Sequence, residues 1–183
     1  PREIVKFIVE ALPIEHDSKV LDTSCGSGGF LLYALNKVRN KATELYPNYA
    51  KDVRQHDRWF KYWHDFAEKN LYGIEISEQI SRAAKMNMII HDDGHTNVIT
   101  SDGLVSDETI IAKTNNQGFK YGTFDFIITN PPFGSTVRQS EQAYLKTYQL
   151  GKKEEDWLAV ATPPQNTRDG QSTEVLFIEQ DYK

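Results

Sequence analysis

The stretch Val20-Leu21-Asp22-Thr23-Ser24-Cys25-Gly26-Ser27-Gly28-Gly29-Phe30-Leu31-Leu32 constrains the fold of this chain more than any other. A short apolar run stops at a carboxylate, a turn of small residues follows, and a helical pattern opens with Phe30, Leu31 and Ala34. Strand, glycine turn and helix in that order form the opening unit of an open α/β sheet, whose turn seats a phosphate or nucleoside. The third glycine of the dinucleotide pattern is replaced by Leu31, and no Gly-Lys-Ser/Thr follows, which excludes a phosphate-cradling P-loop.

Asp22 stands at the strand end, where it would repel a pyrophosphate; it suits a ligand with a cationic amino group, such as the methionine end of S-adenosylmethionine. Two more acids close apolar runs. Leu71-Tyr72-Gly73-Ile74-Glu75-Ile76 reads as the second strand, with Glu75 placed to accept from a ribose diol. Its distance from the glycine loop far exceeds the usual ~20 residues, so an insertion is expected between them. Val98-Ile99-Thr100-Ser101-Asp102-Gly103-Leu104 reads as the third strand, with Asp102 placed to accept from an adenine amino group. Any one such acid is commonly a solvated strand cap. Three in order point to a nucleoside site.

Further along, the apolar run Phe124-Asp125-Phe126-Ile127-Ile128-Thr129 ends in Asn130-Pro131-Pro132-Phe133. Each proline fixes its own φ and removes a donor, which leaves neighbouring carbonyls open to accept. An amide oxygen, an open carbonyl and an aromatic face together suit a planar group bearing an NH₂. Alone, Asn-Pro-Pro is a common turn; downstream of the glycine loop it becomes a candidate catalytic segment.

With these motifs in place, the chain resembles the catalytic core of an amino-group DNA methyltransferase, in particular the modification subunit of a type I restriction-modification system. The matching segments are Pro1-Arg2-Glu3-Ile4-Val5, Asp22 to Leu31, Glu75, Ser101 to Leu104 and Asn130 to Gly134, in the order of the N6-adenine branch. Thr23-Ser24 stand where the family usually has Pro-Ala. The resemblance implies a Rossmann-like α/β fold, a parallel sheet with flanking helices. It implies S-adenosylmethionine as cofactor, held by Pro1, Arg2, Asp22, Cys25, Gly26, Ser27, Gly28, Gly29, Glu75, Ile76, Asp102 and Gly103. It implies catalysis by Asn130, Pro131, Pro132 and Phe133 without a metal. The adenine amine would donate to the Asn130 oxygen and the Pro131 carbonyl, which stabilises the charge that develops on it, while Phe133 stacks on the flipped base. The expected partners are DNA, a specificity (S) subunit and a restriction (R) subunit.

Length and charge bound this reading. At 183 residues the chain is expected to be one partial catalytic domain, 1–183, with a helical insertion at 40–70. It opens in mid-motif at Pro1 and stops soon after Thr173 to Glu179, so C-terminal strands are expected to be missing and the piece inactive alone. One cysteine suits a reducing cytoplasm, and no apolar stretch reaches membrane-spanning length. A net charge of −5 is unfavourable for autonomous DNA binding, which a specificity subunit would relieve.

Periodicity predicts an opening helix through Ile4, Val5, Ile8, Val9 and Leu12, a strand over 19–22, a helix over 28–38 and two helices within 40–70. It then predicts a helix over 77–91 capped by Ser77, a turn at Asp92-Asp93-Gly94, and a polar loop over 106–121. A fourth strand over 123–129 precedes loop-rich sequence around Pro163-Pro164, and a last helix spans 173–182. The expected strand order is third, second, first, fourth. Trp59, Trp63 and Phe66 share one helix face and read as packing rather than a base-stacking platform. His91 and His95 lack metal-ligand spacing, and Cys25 reads as a packing residue rather than a nucleophile. Cytosine-N4 methylation, glutamine-amide methylation of a protein, and a cofactor-binding scaffold without chemistry remain open as rival readings.

Overall fold

The computed structural model describes residues 2–91, 97–138, 143–153 and 166–183. The turn at Asp92-Asp93-Gly94, His95, Pro163-Pro164 and the cofactor role of Pro1 lie outside the described residues. The chain divides into two compact units, Pro1–Gly103 with Asp107–Asn130, and Leu104–Ser106 with Pro131–Lys183.

The first unit is built on a four-stranded parallel sheet. Its strands are β1 (Val20–Asp22), β2 (Leu71–Glu75), β3 (Val98–Thr100) and β4 (Phe126–Ile127), in the expected order β3-β2-β1-β4. β1 pairs with β2 from Val20↔Leu71 to Asp22↔Gly73, and with β4 from Val20↔Phe126 to Leu21↔Ile127. Every residue of β1 and β2 is buried, as expected of inner parallel strands. β3 and β4 are shorter than predicted: Ser101, Asp102, Thr129 and Asn130 lie past the paired residues, on the connections that leave the strand ends. β4 is two residues long, against the seven expected over 123–129.

The flanking helices follow from their apolar stripes. In α1 (Arg2–Ala11), Val9 is buried and Val5 and Ile8 pack beside it, while Ile4 stays exposed. α1 lies against α2 (Gly29–Leu45), whose Leu31, Ala34, Leu35 and Val38 enter the core. The stretch 40–70 carries the last turns of α2 and the whole of α3 (Val53–Asn70). Asp52 caps α3 by accepting from the Arg54 and Gln55 amides, at 2.8 and 3.3 Å. Trp63 and Phe66 are fully buried, with about 1.5–3 kcal/mol expected from each. Trp59 packs beside them and donates through its indole to Thr43 Oγ1, so the shared face is packing, as its spacing predicts. α4 (Glu78–Ile90) packs on β2 and β3 and is capped by Ser77, whose Oγ accepts from the Ile80 amide.

The predicted loop over 106–121 is instead α5 (Asp107–Thr114) followed by a 3₁₀ turn at Gln117–Phe119. Asp107 and Glu108 suit the positive end of a helix, and Ile110 anchors it in the interior. With Ile110 its one buried apolar residue, the segment carries too weak a period to be read as a helix.

In the second unit, α6 (Thr173–Tyr182) has the predicted bounds. β5 (Thr136–Arg138) pairs antiparallel with β8 (Gly170–Ser172), and β6 (Lys152–Lys153) with β7 (Asn166–Thr167). Leu104, Leu145, Tyr148, Leu176 and Phe177 form its core. The Tyr148 hydroxyl lies 2.5 Å from the Leu104 carbonyl oxygen, which ties residues 104–106 to this unit.

Candidate active site

The glycine loop is fastened to the end of β2. The Cys25 amide donates to the Ile74 carbonyl (2.8 Å), and the Gly26 amide donates to Glu75 Oε2 (3.0 Å). Glu75 Oε1 accepts from the Ser77 amide (2.8 Å), and the Ser24 amide donates to Asp22 Oδ1 (3.1 Å). Asp22 and Glu75 are buried at 2 % and 8 % exposure. Each carboxylate oxygen carries two lone pairs, so Glu75 retains acceptor capacity on both oxygens after holding these amides.

Backbone conformation explains the glycines. Gly26 and Gly28 have φ of +54° and +86°, where a side chain would be strained. Gly73 answers a different need, since a Cβ there would stand 2.7 Å from Leu31 Cδ1 and 3.1 Å from the Cys25 sulfur. The loop is pressed against β2 on that side. On the other, a Cβ at Gly26 or Gly29 would meet nothing within 4 Å. An open face over the loop, with carboxylate acceptors at the strand ends, fits a ligand carrying a ribose and a cationic amino group.

Cys25 is buried, and that burial, with the charges of Asp22 and Glu75 adding, pushes its thiol far above the usual value. A protonated, enclosed thiol is a poor nucleophile and behaves as a packing group.

The remaining sequence-predicted cofactor residues are more scattered. Ile76 follows Glu75 at 68 % exposure and offers an apolar surface beside the carboxylate. Asp102 is half-buried and Gly103 buried, two and three residues past β3. Ser27 is exposed, and its carbonyl accepts from the Asn87 side chain. Arg2 is exposed in the first turn of α1, with no hydrogen bond to the other candidates among the described residues.

The candidate catalytic segment crosses the boundary between the units, after Asn130. In the first unit, the Ile128 amide donates to the Leu21 carbonyl (2.9 Å), and the Thr129 hydroxyl shares a 2.7 Å hydrogen bond with that of Ser24. Asn130 follows, exposed, and its side chain has no hydrogen-bond partner among the described residues. In the second unit, the first turn of α6 holds the residues after it. The Thr173 hydroxyl donates to the Pro132 carbonyl (2.8 Å), and the Gly134 amide donates to Glu174 Oε1 (2.7 Å). That amide and its neighbours lower the Glu174 pKa. Of the two proline carbonyls, the one at Pro132 is thus engaged, and the one at Pro131 accepts from no described residue. Phe133 is 71 % exposed.

Three supports escaped the sequence reading. Lys19 donates through Nζ to the Gly118 carbonyl and Thr123 Oγ1, lies over the rings of Tyr72 and Phe124, and donates its amide to Asp125. It anchors the segment that enters β4, and partial burial lowers its pKa. The Ser24–Thr129 pair and the Thr173–Glu174 clamp are the others. Of these, only the Ser-Thr-Glu start of α6 carries a local signal, that of a helix N-terminus. Elsewhere, His64, Asp65 and Glu68 of α3 bring ligand atoms within 4.8 Å of one another, but Asp65 is already paired with Lys69 in an ordinary helix-surface ion pair.

The family model for N-6 DNA methylases matches residues 1–178. A type II restriction enzyme and methyltransferase, RM.BcgI of Heyndrickxia coagulans, is 31 % identical over 78 % of this chain and 19 % of its own length. The MjaIX methylase subunit of a type I restriction enzyme from Methanocaldococcus jannaschii is 28 % identical over 74 % of this chain and 18 % of its own. The crystal structure of the type I restriction enzyme EcoKI M protein superposes with a TM-score of 0.58 at 21 % identity, covering 98 % of this chain and 30 % of that one. The chain therefore spans about a fifth of the length of these curated relatives. The matched motifs, the parallel sheet and the match along nearly the whole chain agree: it belongs to the N-6 DNA methylase family.

Proposed function

We propose that this chain is part of the catalytic domain of a DNA methyltransferase that moves a methyl group from S-adenosylmethionine to the N6 amine of adenine, as the modification subunit of a type I system. A methylase family requires a methyl donor, and the open face over Gly26 and Gly29 beside two buried carboxylates suits this one. The observation that carries the reading is Asn130, an exposed amide with no described partner, joined through Thr129 to the glycine loop itself.

Asp22 would hold the cationic amino end of the donor, Glu75 the ribose hydroxyls and Asp102 the adenine amine, with Ile76 against the ring. Bound there, S-adenosylmethionine supplies a methyl group already activated by its sulfonium. The Asn130 oxygen and the Pro131 carbonyl would accept the two protons of the target amine. That draws its lone pair out of conjugation and stabilises the positive charge that develops as the bond forms. Phe133 would stack on the extruded base. Displacement in one step then needs positioning rather than a covalent intermediate.

DNA, a specificity subunit and a restriction subunit are the partners proposed, in a cytoplasmic setting; among the described residues no helix is long and apolar enough to cross a membrane. The similarity to a type II restriction enzyme and methyltransferase favours a second arrangement, in which cleavage and methylation share one polypeptide. The test is transfer of radiolabelled methyl by the complete protein, with and without a specificity subunit, followed by nucleoside analysis. N6-methyladenine formed only with the subunit supports the type I reading, and formation without it supports the second arrangement. N4-methylcytosine, methylated protein or no product contradicts both.

A further inference from the structure

We propose that the Ser24–Thr129 hydroxyl pair is a positioning device that couples the cofactor loop to the backbone carrying Asn130, so that the loop also sets the place of the amide. The inference rests on the function proposed above and names a residue pair it does not require.

The main-chain ladder between β1 and β4 stops short of Asn130. β4 pairs with β1 only as far as Leu21↔Ile127, and the last backbone bond between the two segments is the 2.9 Å contact from the Ile128 amide to the Leu21 carbonyl. Past that point, a 2.7 Å bond between the two hydroxyls links the loop to the residue preceding Asn130. That length is typical of a good O–H···O bond, and both residues are half-buried, which limits replacement by water. Ser24 is itself held, because its amide donates to the buried Asp22 carboxylate. Asn130 has no side-chain partner among the described residues, so the reach of its amide is set by where the backbone places its Cα, directly after Thr129.

A reacting amine is sensitive to such placement. A displacement of about 1 Å at a positioning group can cost on the order of 100-fold in rate. Binding of the donor does not depend on the pair, since neither hydroxyl is among the groups assigned to hold it.

The experiment uses the complete protein with its specificity subunit and four variants: Ser24→Ala, Thr129→Val, their combination, and Thr129→Ser. Single-turnover methyl transfer, cofactor affinity and thermal midpoint are measured for each. Either single variant is expected to slow transfer about three- to tenfold, the loss of one neutral hydrogen bond, with cofactor affinity unchanged and the thermal midpoint lowered by no more than the loss of one such bond gives. The double variant should be no slower than the singles, because the two hydroxyls act as one unit, and Thr129→Ser should retain the wild-type rate. Thr129→Val keeps the side-chain shape, so it tests the bond even where Ser24→Ala disturbs the loop. Unchanged rates in the singles, losses that multiply in the double, or a Thr129→Ser rate as low as that of Thr129→Val would overturn the proposal. A wild-type protein that forms no N6-methyladenine overturns the functional reading and the proposal with it; normal wild-type transfer with unaffected variants overturns the proposal alone.

Discussion

The glycine loop and the Asn130–Gly134 segment are held in opposite ways. The loop is locked by a main-chain bond to Ile74, by the bond from the Gly26 amide to the buried Glu75 carboxylate and by glycines in left-handed conformations. The segment after β4 is exposed, and its grips are side-chain contacts: Ser24 on Thr129 in the first unit, Thr173 and Glu174 on Pro132 and Gly134 in the second. A loop built into the core must be formed before any ligand arrives. An exposed turn contributes little to the core and is available for a partner. Loss of the loop's carboxylates or left-handed glycines should therefore cost stability and cofactor binding together, whereas loss of the exposed Asn130 amide should cost rate alone.

The largest effect expected under that division is the loss of methyl transfer in Asn130→Ala. Removing one preorganised group that stabilises developing charge costs about 100-fold or more, measured as single-turnover transfer to duplex DNA by the complete protein. Retention of more than about a tenth of the rate would break the comparison on the catalytic side.

Next comes Glu75→Ala, on the loop side. It removes the ribose acceptor and also leaves the Gly26 and Ser77 amides without their carboxylate. Cofactor affinity should fall by about 1–3 kcal/mol, and the thermal midpoint should fall with it. A lower affinity at an unchanged midpoint would mean that the loop is not part of the core's support. Gly28→Ala sharpens the same point, because a side chain at φ +86° costs about 1–2 kcal/mol, read as a drop in denaturation midpoint.

The smallest effect belongs to Glu174. Its folded pKa is lowered, first by the Gly134 amide. The stability it adds is therefore present above the ordinary glutamate pKa and is lost as the pH falls through the lowered folded value. The carboxylate is screened by solvent, so the difference in thermal midpoint between wild type and Glu174→Gln should be slight at neutral pH and vanish in acid. A difference that grows in acid would reverse the assigned direction.

What was legible in the sequence follows the same division. Strand order, the loop and three acids at strand ends could be read because buried parallel strands are continuous apolar runs, and only glycine serves at the turns. α6 could be read to its exact residues from Leu176, Phe177 and Gln180 spaced along one buried face. α5 could not, with Ile110 its lone buried apolar anchor. β5 to β8 are two or three residues long, and Gly170-Gln171-Ser172 offers no alternation to detect. The supports of the turn were hidden for another reason. Ser24 meets Thr129, and Thr173 meets Pro132, across long stretches of chain, and no local pattern announces such a meeting. Lys19, expected as the first residue of a strand, instead precedes β1 and lies over two aromatic rings brought to it from distant stretches of chain.

The most direct test of this division of labour is calorimetry of S-adenosylmethionine binding to the wild type, Asn130→Ala and Glu75→Ala side by side. The account predicts that Asn130→Ala binds as the wild type does, while Glu75→Ala binds about tenfold more weakly or worse. Equal affinities for Glu75→Ala and wild type, or an equal loss in both variants, would contradict it.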